Sequence, residues 1–286
     1  MDKTFDDGAA SPLNLNQNNP AISTSPLDAE PLSKSSNPLP LLSATAWKRG
    51  RWGLLWLGAG LALIPFSQFT GPALCHFLEH LNLDGLFNTA RQFPTVWGYL
   101  TVITLILMVD FAKARYLPYL IVAVAIGGLS NEVIKQASGR MRPEYSMLFK
   151  DARRWDDLAK FQEKYPRVSI KIQKIDQWFM LNGQLPMFVD IFGSFPSGHA
   201  NSAFVLAAFL QVLYRRTRWL VFVYAVVCAL SRIEGRRHYL EDVCVGGAMG
   251  WMIAFWVFTW TWPARLGLRL ENALLRWSCF RPAPAD

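Results

Sequence analysis

Three separated stretches of this chain carry residue types that together could hold a phosphate and attack it. Lys135 and Arg142 stand seven residues apart, so helical backbone would set both on one face. An ammonium point charge beside a forked guanidinium suits a tetrahedral phosphate, and Pro143 would end that helix just beyond the pair. The second stretch, Pro196-Ser197-Gly198-His199, precedes an apolar run. If a helix starts there, its free N–H groups and positive dipole end favour an anion and Ser197 can cap it. His199 then stands one residue inside, placed to protonate a leaving oxygen near neutral pH. The third stretch runs from Ser231-Arg232 to His238 and Asp242, the last two four residues apart. At that spacing a carboxylate stacks on an imidazole, can fix its tautomer and raises its nucleophilicity, as a histidine attacking phosphorus requires. Arg232 adds a third cation to offset charge gathering on phosphate oxygens in the transition state. Taken singly, each stretch has a plainer use: cations at a membrane boundary, an ordinary Pro-Ser helix start, a surface His–Asp pair.

The elements that must position these residues follow from the distribution of apolar side chains. Of the 286 residues 52% are hydrophobic and 17% charged. The apolar ones gather into runs approaching the roughly 20 residues a helix needs to cross a bilayer. Six spans are expected, at 52–69, 93–109, 116–130, 197–214, 219–230 and 243–262, the short fifth flanked by Arg218 and Arg232, which can snorkel. Positive charge sits between them: Lys48, Arg49 and Arg51, then Lys113 and Arg115, then Arg215, Arg216 and Arg218, and finally Arg265, Arg269 and Arg276. The positive-inside rule puts these ends and both termini in the cytoplasm, and all three chemical stretches on the opposite face. Residues 1–46, rich in Pro, Ser, Asn and Asp, read as a disordered tail with no cleavable leader, ahead of a membrane domain at 47–286. The segment 144–195 is expected to form an extramembrane helical cap over the site. A net charge of +8 without a basic helix or aromatic-laced basic patch excludes nucleic-acid binding, and four cysteines without CxxC spacing make neither a disulfide scaffold nor a zinc ribbon.

In order along the chain, Lys135-x6-Arg142-Pro143, Pro196-Ser197-Gly198-His199 and Ser231-Arg232-x5-His238-x3-Asp242 resemble the three-part signature of the type 2 phosphatidic acid phosphatase (PAP2) family. The resemblance covers roughly residues 47–262. It implies an all-α polytopic membrane bundle that hydrolyses a lipid phosphate, monoester or pyrophosphate, through a phosphohistidine. His238 would attack phosphorus, Asp242 orient it and His199 protonate the leaving group, while Lys135, Arg142, Ser197, Gly198 and Arg232 hold the phosphate. The resemblance implies no metal and no cofactor. A site at the bilayer boundary selects a membrane lipid as partner, whether a phospholipid, a polyprenyl pyrophosphate or a lipid A type molecule. The expected location is a bacterial inner membrane with the site facing the periplasm.

Three other readings compete. His76-Phe77-Leu78-Glu79-His80 matches the H-x-x-E-H pattern of inverted zinc peptidases, with both imidazoles on one helical face. A membrane metalloprotease would follow, its third ligand an unidentified carboxylate. Vanadium haloperoxidases resemble the PAP2 family in the same three motifs, although six apolar spans argue against one. A non-catalytic lipid-binding membrane protein would keep the anion site without turnover.

Overall fold

The structure, a computed structural model, describes residues 47–144 and 193–276, all within one unit, Pro38–Asp286. The expected tail at 1–46 and nearly all of the expected cap lie outside the described residues. Every element among the described residues is helical: a single α-helical turn (Trp47–Gly50), then α1 (Trp52–Leu63), α2 (Ser67–His80), α3 (Asp84–Gln92), α4 (Val96–Val109), α5 (Leu117–Ser138), α6 (Gly198–Leu213), α7 (Arg218–Glu234), α8 (Leu240–Val257) and α9 (Trp262–Arg276), with short 3-10 turns between some of them.

The ends of the three site-bearing helices are written locally. Pro118 sits in the first turn of α5, where a missing N–H costs nothing. That helix stops at Gly139, whose φ of 52° is a left-handed conformation suited to glycine and whose N–H closes on the Lys135 carbonyl. Ser197 caps α6, its side chain accepting from the Ala200 N–H. Asp242, in the first turn of α8, accepts from the Tyr239 N–H at 2.9 Å, one half of a capping box.

Helix α8 is the centre of the bundle, touching α1, α5 and α6. Between apolar helices in lipid the hydrophobic effect gives little drive to associate, so close approach through small residues does the work. A methyl on Gly246 would come within 2.3 Å of the Ser197 carbonyl oxygen, and one on Gly250 within 2.1 Å of the Asn201 carbonyl oxygen. Below these contacts Tyr119, Leu120 and Phe209 join Phe255 and Phe258 in a buried apolar cluster. Outside it, Leu55, Trp97, Met108, Val109 and Leu220 stand exposed, a surface matched to hydrocarbon rather than water.

The span count departs from the sequence expectation. Two described stretches, Phe111–Ser138 and Leu240–Val257, are long and apolar enough to cross a membrane. The count reaches four if two bent pairs each count once: Lys48–Phe66 with Phe69–His80 at 103°, and Asp84–Gln92 with Val96–Val109 at 67°. The first expected span breaks because Pro65 lacks a donor. The 12 residues of α1 rise about 18 Å, against a hydrocarbon core of about 30 Å. The expected loop after it is instead α2 and the amphipathic α3, which buries Phe87 and Ala90. The expected third span runs on to Ser138, which carries Lys135 with it.

Candidate active site

The connection from α7 to α8 curls on itself, the N–H groups of Arg237 and His238 both donating to the Arg232 carbonyl at 3.1 and 3.2 Å. This turn presents His238, 4% exposed, to the chain just before α6. Its Nδ1 lies 2.6 Å from the Ser194 carbonyl oxygen. A carbonyl can only accept, so Nδ1 carries the proton and Nε2 keeps its lone pair. Burial, then the charges of Arg232 and Arg142, push the His238 pKa well below the ordinary histidine value, with the Ser194 carbonyl pulling the other way.

Asp242 does not touch the imidazole directly. Its Oδ2 is 3.9 Å from His238 Nδ1, beyond hydrogen-bond reach, and instead accepts from Ser194 Oγ at 2.5 Å and from the Tyr239 N–H. Its other oxygen is paired with Arg140. The sequence expectation gave Asp242 the task of fixing the tautomer. The geometry gives that contact to the Ser194 carbonyl, with Asp242 gripping Ser194 from behind.

Arg140 holds this corner together. Wholly buried, it spans Asp242 and Glu241 with its two terminal nitrogens and lies 4.0 Å from the Tyr239 ring centroid. Sequence reasoning passed over Arg140, Ser194 and Glu241. A signal did exist: adjacent acids opening an apolar helix need a cation, and Arg140 lies between two residues already singled out.

Backbone bonds join the three stretches. The Ser197 N–H donates to the Asp242 carbonyl at 2.9 Å, Ser138 Oγ to the Phe195 carbonyl at 2.8 Å, and the Ser194 N–H to the Arg140 carbonyl at 3.1 Å. Lys135 Nζ lies 3.6 Å from where a Gly198 methyl would stand, with Asn131 Nδ2 at 3.2 Å from the same point, so glycine leaves room for both. The charges of Lys135, Arg142 and Arg232 all bear on His238 and, with Arg91, on His199. His199 is half-buried in the first turn of α6. All eight residues singled out for catalysis and phosphate holding therefore fall in one neighbourhood. Arg91 is a further cation that sequence reasoning missed. It comes from α3 and is tied to Glu234 and, at 3.2 Å, to the Ser231 carbonyl.

The H-x-x-E-H stretch behaves differently. The rings of His76 and His80 lie 4.2 Å apart, but Glu79 is engaged by Arg236 at 2.7 Å and by the Cys75 thiol at 3.3 Å. No third ligand joins them among the described residues.

Comparison with known proteins points the same way as the motifs. The model of the PAP2 superfamily matches residues 116–266, a range that takes in all three stretches. The chain is 27% identical over 235 residues to a probable diacylglycerol pyrophosphate phosphatase 1 of Schizosaccharomyces pombe, covering 70% of this chain and 74% of that protein. It is 36% identical over 74 residues to the bacitracin transport permease protein BcrC of Bacillus licheniformis, covering 26% of this chain and 36% of that one. No solved structure matches the chain.

Proposed function

The chain belongs to the PAP2 superfamily and is a phosphatase, and from that premise we propose that it removes a phosphate from a membrane lipid through a phosphohistidine on His238. The observation that carries this reading is the hydrogen bond from His238 Nδ1 to the Ser194 carbonyl, which leaves the Nε2 lone pair available beside three cations.

In the first step His238 Nε2 bonds to phosphorus while the phosphorus–oxygen bond to the lipid breaks, and His199 protonates the departing oxygen. Positive charge on the phosphorylated imidazole is met by the Ser194 carbonyl and, behind it, Asp242. In the second step water attacks phosphorus, His199 takes its proton, and inorganic phosphate leaves with His238 restored. Lys135, Arg142, Arg232, Ser197 and the Gly198 N–H hold the phosphate oxygens, supplying without a metal the charge the transition state needs. A lipid pyrophosphate is favoured as substrate alongside phosphomonoesters, since the Schizosaccharomyces pombe relative is named for diacylglycerol pyrophosphate.

Six crossings remain the best reading of the bundle. Helices α6 and α7 are short at 16 and 17 residues, yet α6 packs against α5 and α8, and α7 against α6, so all four share one depth. The bent pairs contribute the first two crossings. The motifs face the periplasm of a bacterial inner membrane, with the basic end in the cytoplasm.

The test is phosphate release from a panel of lipid phosphates in micelles by the purified protein. Wild type turns over with or without chelator, and His238→Ala and Asp242→Ala each lose at least about a thousandfold with normal expression. Full activity in His238→Ala would sink the assignment, and strong loss with a chelator would revive the zinc reading of His76, Glu79 and His80.

A further inference from the structure

A second feature of the bundle owes nothing to the three motifs. A cavity of ≈ 760 Å³ opens between α1, α6, α7 and α8. Leu240 and Phe255 both line it, and fifteen residues of helix rise about 22 Å. One leaflet contributes about 15 Å of hydrocarbon, so an acyl chain fits lengthwise. Its walls are apolar along this length, from Leu230 and Val243 near the motifs, past Val226 and Gly247, to Trp251.

The far end is different. Arg49, Arg215 and Arg218 line it together with Gln211, one turn before Arg215 on α6. Gln211 Nε2 is buried there with no hydrogen-bond partner. Among the described residues no ion pair engages Arg49, Arg215 or Arg218, whereas Arg91, Arg140, Arg236 and Arg237 at the motif end are each paired with an acid. Unneutralised guanidinium groups and an unmet amide donor at the mouth of a slot of acyl length are complementary to an anionic head on an apolar chain.

We propose that this groove binds one anionic phospholipid from the leaflet opposite the catalytic histidines, its phosphate among Arg49, Arg215 and Arg218 and one acyl chain lying along α8. The bound chain fills the gap between α1 and α7 and braces the helix that carries Asp242.

The test reads binding rather than turnover, so it stands or falls apart from the phosphatase reading. The full chain is purified in an uncharged detergent and titrated with phosphatidylglycerol or phosphatidylcholine, with native mass spectrometry counting bound lipid and thermal unfolding following stability. Wild type is expected to hold one phosphatidylglycerol saturably and unfold at higher temperature with it, and to do neither with phosphatidylcholine. Arg49→Gln/Arg215→Gln/Arg218→Gln should weaken that binding at least about tenfold. The charge-matched Arg115→Gln/Arg265→Gln/Arg269→Gln, at the same basic end but outside the groove, should keep wild-type affinity. Should the triple variant not fold, Arg218→Gln and Gln211→Leu replace it, each expected to lose several-fold. Val226→Trp fills the slot and should abolish binding with every arginine intact.

Equal loss in both charge variants overturns the proposal in favour of diffuse attraction to the basic end. Equal affinity for the two lipids overturns it outright. A Val226→Trp protein that keeps phosphatidylglycerol but raises KM only for long-chain substrates also overturns it, assigning the groove to the substrate tail.

Discussion

Two carboxylates and one guanidinium with no exposure to solvent form the most deeply buried ionic unit among the described residues. One guanidinium faces the carboxylates of both Glu241 and Asp242, and Glu241 Oε2 has no hydrogen-bond partner among the described residues. Removing Arg140 would strand both acids, which costs about 3–5 kcal/mol for a broken buried pair. Arg140→Ala is therefore expected to lower the unfolding temperature sharply and lose activity. Arg140→Lys should recover little, because one ammonium cannot span two acids as a fork does. A thermal scan of both variants beside wild type checks this. His238 makes a second prediction. In the unfolded chain it titrates near pH 6.5, and in the folded protein well below. Between those values the unfolded chain binds the extra proton, so the contribution of His238 to stability is whole above about pH 6.5 and lost as pH falls toward the folded value. His238→Asn, whose amide can still donate to Ser194, should soften that acid loss in unfolding midpoints measured from pH 7 to 5. The limb of kcat/KM due to His238 itself should lie below pH 6.5. The residues that titrate or carry charge toward a phosphate were legible in the sequence, because patterns report side-chain types. The partner of His238 was not, because it is a backbone carbonyl, and a carbonyl has no letter.

Glycine spacing on α8 decides how close the second motif sits. Gly246→Ala places a methyl 2.3 Å from the Ser197 carbonyl oxygen and 3.0 Å from its nitrogen, atoms that cannot move without moving the α6 start. Overpacking of this kind costs about 1–3 kcal/mol. Since the shift falls on the phosphate-holding turn, Gly246→Ala should cost more in kcat/KM than in unfolding temperature. Gly58→Ala on α1 meets nothing within 4 Å and should be neutral or slightly stabilising, which makes it the control. At this scale the sequence announced the helices, and Ser197 marked a start that the structure respects. Pro143 did not mark the end of α5: that helix stops at Ser138 on the left-handed Gly139, so Arg142 lies beyond it and does not share a helical face with Lys135. Nor did the sequence announce the break after α1 or the helices α2 and α3. A proline in an apolar run is compatible with either a kinked span or a turn, and only neighbours choose.

For the molecule as a whole, cysteine labelling reads which way the bundle faces. The proposed orientation predicts that Arg216→Cys, in the basic end, reacts with an impermeant maleimide only in inverted vesicles, while Gly85→Cys, in open space at the start of α3, reacts only from outside. Both labels from one side would reject the topology. Wild-type Cys75 and Cys228 are buried, and Cys244 and Cys279 are replaced by serine in the background so that they do not label. Length and apolar content gave the membrane class readily, yet the number of crossings resists counting, because bent and short helices reach across by leaning on neighbours.

Ser194 on Arg140 and Ser138 on Phe195 form a seam between the end of α5 and the start of α6. It pins the departure and return points of residues 145–192 at one doorstep, so whatever lies between can be swapped without re-threading the histidines. Closing a longer excursion is cheap, about 0.6 kcal/mol per doubling of length. Replacing 147–190 with a short Gly/Ser linker should leave hydrolysis of a small soluble ester intact and change which lipids are admitted. Guest and chemistry would then be separable, the first answering to residues 147–190 and the second to His199 and His238.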